Sequence, residues 1–325
     1  MIIVTGTKRS GTSMWMQILG AAGLPMFGEA FPRDWGRTLR DANPEGFYES
    51  ILRQGIYWRT NPHPHTGAYF FPEQVQRHAV KVFIPGLVRT DRAYIGRVIA
   101  SVRPWREYCR SLRRLWAMED AALAERHPGR KPPPRVSPAL EWWAENYMLI
   151  RDVATRRYPV HLQSYDGLLE DPERVLARTF AWLGLGDAAA AMTAVKPGRR
   201  TQRAATAVAG PGSDPEEAEL EPGVIEVLDR LYQVVHAGEP VGPELLAALN
   251  ATQVALGPRI LEQQRAVQRS LRRRRALASR NAGPARDAEA VELDQPHGPG
   301  DYGPGDYGGD LDAAPDDVPP EQPSW

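Results

Sequence analysis

The chain of 325 residues is long enough for one large or two ordinary domains, and its 42% of hydrophobic residues excludes a wholly disordered protein. No apolar run reaches the roughly 20 residues that a membrane helix needs. The first residues also lack the basic region and long apolar stretch of a signal peptide. The one cysteine, Cys109, cannot form an internal disulfide, which suits a reducing compartment. We therefore expect a cytoplasmic protein.

The formal net charge of zero hides an uneven distribution of charge along the chain. Residues 287–325 include eleven acidic residues and no basic one, so residues 1–286 hold all 40 Lys and Arg against 29 Asp and Glu. A basic body favours an anionic partner, which includes nucleotides, polyanions, nucleic acids and acidic membranes. Charge alone does not choose among these partners.

Short β-branched runs alternate with longer helical patterns over the first 183 residues. We predict strands at residues 2–5, 79–84, 97–102 and 159–165, separated by helices at 10–22, 106–126, 138–157 and 172–183. This alternation predicts an α/β fold whose parallel sheet has helices on both faces. Ligands of such sheets bind at the carboxyl ends of the strands, so the turns after Val4 and Val102 are the first candidates for a site.

The composition changes in the C-terminal third of the chain. Helices are predicted near residues 222–236 and 243–256, and they complete an α/β domain over 1–256. A basic helical segment follows at 257–281, and a disordered acidic tail rich in Pro and Gly at 282–325. For Arg265–Arg280 we favour a solvated basic helix over one that contacts membranes or polyanions.

The strongest local signal is the loop Gly6–Ser13, which follows the first strand directly and opens a helix. Backbone N–H groups at such a helix start point at an anion, and glycines let the chain approach a phosphate closely. The loop nearly fits the nucleoside-triphosphate pattern G-x-x-x-x-G-K-[ST]. However, Thr12 stands in the lysine position, and the cations lie earlier, at Lys8 and Arg9. The missing lysine disfavours an ATP-dependent kinase, which is the enzymatic alternative.

The same run of residues resembles the 5′-phosphosulfate loop of the sulfotransferase family. The resemblance implies a P-loop-like parallel sheet, 3′-phosphoadenosine 5′-phosphosulfate (PAPS) as sulfuryl donor, and adenosine 3′,5′-bisphosphate (PAP) as product. The implied acceptor is a hydroxyl or amine of a small molecule, sugar or lipid. No nucleic acid is implied, and no metal ion, because arginines and lysines supply the positive charge. The implied donor-binding residues of the loop are Thr7, Lys8, Arg9, Ser10, Gly11, Thr12 and Ser13.

Three later segments are similar to the same family. Arg103 ends a predicted strand and Ser111 lies eight positions beyond it, as in the family's 3′-phosphate signature, although the aspartate common in that signature is missing. Tyr165 opens a Tyr-Asp-Gly-Leu segment, and the resemblance implies that it lies near the adenine. A basic loop follows where the family places cations that close on the nucleotide phosphates, here Arg199 and Arg200. The resemblance covers about residues 1–235.

The resemblance also implies catalytic residues. Arg9 matches the catalytic cation of the loop and Lys81 a strand lysine, but Phe83 occupies the position of the general-base histidine of the cytosolic members. Phenylalanine cannot accept a proton, so the base is either dispensable or another residue. Glu29 and Glu49 compete for this role, since each lies in a segment similar to one that holds a glutamate in other members. Glu49 is slightly favoured because a Gly-aromatic turn precedes it.

Two further features leave alternatives open. His63 and His65, in a Pro-rich loop, are other candidates for the base. The aromatic residues between positions 31 and 72 line an acceptor pocket or belong to the core. A protein that binds anions or membranes without catalysis is the alternative from another functional class.

Overall fold

The computed structural model describes residues 1–32, 40, 43–196 and 215–281. The chain divides into two compact units, the first Met1–Pro132 with Val136–Leu261 and the second Pro133–Arg135 with Glu262–Trp325. The first unit contains the sheet and the helices that cover it. The predicted acidic tail and two predicted donor-binding residues, Arg199 and Arg200, lie outside the described residues.

The described strands form one parallel sheet in the order β2-β3-β1-β4-β5. The strands are β1 (Ile2–Gly6), β2 (Met26–Phe27), β3 (Ala79–Lys81), β4 (Arg97–Val102) and β5 (Val160–Ser164). The central strand β1 is buried throughout, as expected for β-branched residues that have neighbours on both faces. The predicted α/β fold with a parallel sheet is therefore confirmed. The two-residue strand β2 was not predicted.

Helices connect the strands and continue beyond the sheet. They are α1 (Thr12–Ala21), α2 (Ile84–Arg89), α3 (Trp105–Arg126), α4 (Pro138–Arg156), α5 (Tyr165–Glu170), α6 (Pro172–Leu183), α7 (Ala188–Met192), α8 (Pro215–Ala218), α9 (Pro222–Ala237) and α10 (Pro243–Asn281). Short 3₁₀ turns lie at Ile51–Gln54, Pro72–Val75 and Arg92–Tyr94. Among the described helices, none is long and apolar enough to cross a bilayer.

The alternation of side chains along the strands divides the core between the two faces of the sheet. Ile2 and Val4 pack with α1, α6 and α7 on one face. Ile3 packs on the other face with α2 and α4, where Leu87 and Leu149 are buried. A third apolar cluster joins α3, α4, α9 and the first half of α10 around the buried indoles of Trp105, Trp142 and Trp143. The helices thus hold the sheet, and with it the carboxyl ends of its strands, from both sides.

Two predicted boundaries are wrong. The strand predicted over 79–84 ends at Lys81, and α2 begins at Ile84, because Pro85 presets the backbone for the first turn of a helix. The two helices predicted on either side of Gly257 form the single helix α10, with Pro258 inside it. A proline inside a helix loses one backbone hydrogen bond and crowds the carbonyl one turn earlier, but the burial of Leu256 and Ile260 favours helix on both sides of Pro258.

Gly86, in the first turn of α2, lies against the backbone of the 3₁₀ turn at Ile51–Gln54. A methyl group at Gly86 would lie 2.6–2.7 Å from backbone atoms of Arg53, Gln54 and Gly55. We predict that Gly86→Ala lowers the free energy of unfolding by about 1–3 kcal/mol in urea denaturation, because the backbone must shift. The control is Gly223→Ala in the first turn of α9, where no atom lies within 4 Å. This variant should gain up to about 1 kcal/mol from helix propensity. Equal stabilities of the two variants would contradict the prediction.

Candidate functional site

Three chain segments meet at the carboxyl edge of the sheet because their strands are neighbours. β4 lies between β1 and β5, with Gly6 paired to Ser101 and Val102 to Ser164. The residues that follow these strand ends are the loop after Gly6, Arg103, and Tyr165 at the start of α5. The strand order alone therefore brings the first two predicted segments and Tyr165 to one place.

The loop after β1 has an unusual backbone conformation. Gly6 and Gly11 have φ values of 149° and 92°, and Arg9 has a φ of 65°, which non-glycine residues rarely adopt. The Ser10 hydroxyl donates to the Thr7 carbonyl oxygen at 2.7 Å, and the Ser101 hydroxyl donates to the Ser10 carbonyl oxygen at 2.6 Å. These bonds hold the loop from inside and from the neighbouring strand.

The first turn of α1 presents backbone amides beside this loop. Its N-cap residue is Gly11, which has no side chain to cap the helix, and no acidic residue lies in the first turn. Neither a side-chain cap nor a first-turn carboxylate therefore offsets the helix dipole at this end. Thr7 and Ser10 are fully buried, so their side chains support the loop from beneath, while Arg9 and Ser13 are partly exposed. This arrangement suits an anion.

Arg9, Arg103 and Ser111 are in direct contact. Arg9 Nε donates to Ser111 Oγ at 3.2 Å, and Arg103 Nη1 donates to the Arg9 carbonyl oxygen at 3.1 Å. The Arg103 guanidinium also pairs with Glu107 Oε2 at 3.2 Å, one turn into α3. The Arg103 carbonyl oxygen accepts a bond of 2.9 Å from the Trp142 indole, which fixes the start of α3 against α4. The two separate predicted signatures thus form one cationic site.

Tyr165 closes one side of the same site. Its ring centroid lies 4.9 Å from the Arg103 guanidinium carbon, within cation–π range. Its ring also packs on Gly11, where a Cβ atom would lie 2.6 Å from Tyr165 Cδ2. Glycine is therefore needed at position 11 for this close approach as well as for its positive φ. Ser164 caps α5 by accepting the Gly167 amide at 2.9 Å, which fixes Tyr165 at the helix start.

The cations near the loop repel one another. Burial, followed by the positive charge of Arg103, lowers the pKa of Arg9. A smaller contribution comes from Arg114, farther along α3. A bound anion would relieve this repulsion, so the field at the loop favours negatively charged ligands.

Lys8 differs from this pattern, because its ammonium group lies 3.4 Å from Glu141 Oε1 on α4. Burial lowers the pKa of Lys8, but the carboxylates of Glu141 and Glu145 outweigh burial, and the net shift is upward. The structure therefore places the Lys8 ammonium with acidic residues of α4.

Lys81, at the end of β3, has a buried ammonium group with three acceptors. It donates to Ser13 Oγ at 3.2 Å, to the Phe47 carbonyl oxygen at 3.0 Å and to Glu49 Oε1 at 2.8 Å. Three acceptors match the three protons of an ammonium. Burial lowers the pKa of Lys81, and the ion pair with Glu49 opposes this effect. The second oxygen of Glu49 accepts a bond of 3.0 Å from Arg53.

The other candidate bases lie elsewhere. Glu29 is exposed and meets Glu49 through the backbone, where the two residues exchange N–H to carbonyl bonds of 3.3 and 3.2 Å. The rings of His63 and His65 lie 5.7 Å apart in a surface loop, and His63 Nδ1 accepts the backbone amides of His65 and Thr66. Glu49 is thus the one of these four that contacts Lys81 and lies buried beside Ser13.

The sequence predictions missed Arg53 and Glu107, which hold Glu49 and Arg103 respectively. Each lies four residues after its partner. Glu107 lies in the first turn of α3, so this spacing could have found its pair with Arg103. Glu49 lies outside a helix, so the spacing gives no comparable signal for Arg53.

Comparison with family models, with curated proteins and with solved structures finds no match to this chain. Within the described residues, no group of three or more His, Cys, Asp or Glu side chains is placed to hold a metal ion. The function is therefore inferred from the residues of the site itself.

The ion pair between Lys81 and Glu49 yields a stability prediction. Lys81→Met should lower the free energy of unfolding by about 3 kcal/mol, because it leaves Glu49 buried with one cation fewer. The matched control is Arg174→Met, whose pair with Asp171 lies on the surface and is worth at most about 1 kcal/mol. Urea denaturation of both variants measures the difference. A loss for Lys81→Met no larger than that of the control would show that the buried pair adds nothing.

Proposed function

We propose that this protein is a sulfotransferase that moves a sulfuryl group from PAPS to a hydroxyl or amine of a small-molecule, sugar or lipid acceptor. The observation that supports the proposal best is the contact of Arg9 with Ser111 and Arg103 beside the amides that open α1. The two signatures lie about ninety residues apart in the sequence. Their meeting forms a site with two centres of positive charge, as a nucleotide with two separate phosphate groups requires.

The residues present fit such a nucleotide. The loop Gly6–Ser13 would hold the 5′-phosphosulfate through backbone amides. Gly6 and Gly11 permit the loop conformation, because a Cβ atom at either position would clash with Ser101 or Tyr165. Arg103 and Ser111 would hold the 3′-phosphate through charge-assisted hydrogen bonds. Tyr165 offers an aromatic ring beside Arg103 for the adenine. In this proposal β1 and its loop form the P-loop-like part of the fold.

The donor supplies the activated sulfuryl group, and the protein supplies charge and position. Arg9 and Lys81 provide positive charge near the loop, which stabilises negative charge that develops during transfer. Glu49 is proposed to accept the proton of the acceptor group. Its two ion pairs fix the carboxylate beside Ser13, in the first turn of α1. The Phe83 ring centroid lies 5.4 Å from the Lys81 nitrogen, within cation–π range, but phenylalanine cannot accept a proton.

An ATP-dependent kinase is the second candidate, since the loop frame is close to that of a nucleoside-triphosphate loop. Thr12 in place of the loop lysine removes the usual contact to the β- and γ-phosphates. Incubation of the protein with radiolabelled PAPS or ATP and a host extract separates the two candidates. Labelled sulfated product supports the sulfotransferase. Magnesium-dependent transfer from ATP alone would overturn it.

The role of Arg103 is tested by nucleotide binding. Arg103→Ala should weaken PAP binding by about 10–100-fold in calorimetry, because a charge-assisted bond to the 3′-phosphate is lost. Binding of adenosine 5′-monophosphate, which lacks that phosphate, should change much less. The control is Arg106→Ala, three residues further on in the first turn of α3, whose guanidinium pairs with Glu217 and Asp229 instead. A variant of Arg103 that retains the wild-type preference for PAP would contradict the assignment.

The choice between the two glutamates is tested by activity. Once the labelled product has identified an acceptor, Glu49→Gln should lower kcat by about 10²–10⁴-fold, the usual contribution of a general base. Glu29→Gln should change kcat by less than about twofold, because Glu29 is exposed and touches Glu49 only through the backbone. The opposite ranking of the two variants would move the role to Glu29.

A further inference from the structure

A cluster of ionisable side chains lies directly behind the loop, outside the site that binds the proposed nucleotide. Lys8 comes from the loop itself, Tyr108 from α3, and Glu141 and Glu145 from α4. Lys8 precedes Arg9 in the chain, so this cluster and the anion site share one stretch of backbone. Neither the donor-binding nor the catalytic roles proposed above use these two glutamates.

The geometry of the cluster links it to the loop. Glu141 Oε1 lies 3.4 Å from the Lys8 ammonium and accepts the Tyr108 hydroxyl at 3.0 Å. Glu145 lies one helical turn beyond Glu141 on the same face of α4, and only 6% of it is exposed. Two carboxyl groups thus share a buried region with a single lysine.

Glu145 is the buried member of this pair, and its surroundings favour a bound proton. Burial first, and then the negative charge of Glu141, raise the pKa of Glu145 to about 8, against the opposing effect of Lys8. Glu145 is therefore mostly neutral at pH 7, and the Lys8 ammonium pairs with Glu141. Above pH 8 the cluster behind the loop gains a second negative charge.

We propose that Glu141 and Glu145 form a proton-binding pair that positions Lys8, so that an anion binds at the loop Gly6–Ser13 together with one proton on this pair. The inference rests on the proposed function in one respect, namely that an anion binds at the loop. Ionisation of Glu145 adds a negative charge behind the loop, which repels the anion and draws Lys8 further toward α4. Affinity for the anion should therefore fall as the pH rises through 8. Glu145 acts as a positioning residue, since it does not touch the anion and acts from behind the loop through its charge and through the position of Lys8.

The other groups packed near the cluster have to be considered as sources of a pH dependence. α3 contributes Tyr108, whose pKa burial raises well above its ordinary value, together with Glu119 and Cys109. From α10, Gln253 and Asn250 bond to α4, and both are uncharged. A thiol ordinarily titrates near pH 8.5 and an amino terminus near pH 8. The pH dependence of anion binding by the wild type alone therefore does not identify Glu145 as the titrating group. These groups are identical in Glu145→Gln, and the difference between the two proteins isolates Glu145.

The test is calorimetry of the full chain with PAP between pH 7 and 9.5, in two buffers of different ionisation enthalpy. Phosphate groups are ionised over most of this range. On binding PAP, the wild type should take up a fraction of a proton near pH 8. Its affinity for PAP should fall about tenfold across the range if the bound anion raises the pKa of the Glu145 carboxyl by about one. Glu145→Gln should show neither effect. Glu226→Gln, which changes an exposed carboxylate on α9, should behave as the wild type.

Inorganic sulfate, which does not titrate in this range, is measured in parallel by its effect on thermal unfolding. PAP binding without proton uptake, or with the same pH profile in Glu145→Gln, would overturn the inference and leave the proposed function standing. Sulfate binding that depends on Glu145, without PAP binding, would retain the inference and overturn the function. If neither PAP nor sulfate binds, the inference and the proposed function both fail. Should Glu145→Gln not fold, Glu141→Gln is measured instead, because loss of the Glu141 charge should move the proton uptake to lower pH. Proton uptake that stays near pH 8 in this variant would overturn the inference.

Discussion

The hydrogen bond from the Arg103 guanidinium to the Arg9 carbonyl oxygen joins the loop after β1 to the end of β4, and the rest of the site is arranged around it. Arg9 has a positive φ, a conformation that costs a non-glycine residue about 1–3 kcal/mol. The bonds from Arg103 to its backbone and from its own side chain to Ser111 offset this cost. They hold the Arg9 guanidinium against Ser111 on α3. Glu107 and Tyr165 in turn fix Arg103.

The parts of this arrangement that local patterns determine could be predicted from the sequence. Ile2–Thr5 and Arg97–Val102 are short β-branched runs that end at glycine and at Arg-Pro, and such runs form buried strands of a parallel sheet. Once these strands are neighbours, the loop after Gly6 and the residue Arg103 meet at one edge. Their proximity therefore follows from topology, and the structure shows the contact.

The remaining features depend on contacts between residues far apart in the sequence. Lys81 bonds to Glu49 across 32 positions of the chain, and no spacing rule predicts this contact. Lys8 looks like a phosphate ligand in the sequence, yet two glutamates more than 130 residues away place it behind the loop. By local propensity Pro258 should end a helix, but the burial of Leu256 and Ile260 stabilises α10 on both sides of it. In each case tertiary packing outweighs the local signal.

The short strand β2 has a consequence for the behaviour of the protein in solution. Edge strands expose unpaired backbone groups to which a strand of another molecule can add, and this is a common route to aggregation. Here the edge at β2 is two residues long and continues into the charged, exposed Glu29, whose backbone already pairs with Glu49. The opposite edge, β5, meets α9 through the contact of Ser164 with His236 at 3.0 Å. Both margins of the sheet thus offer little to an incoming strand, which favours solubility of the folded chain.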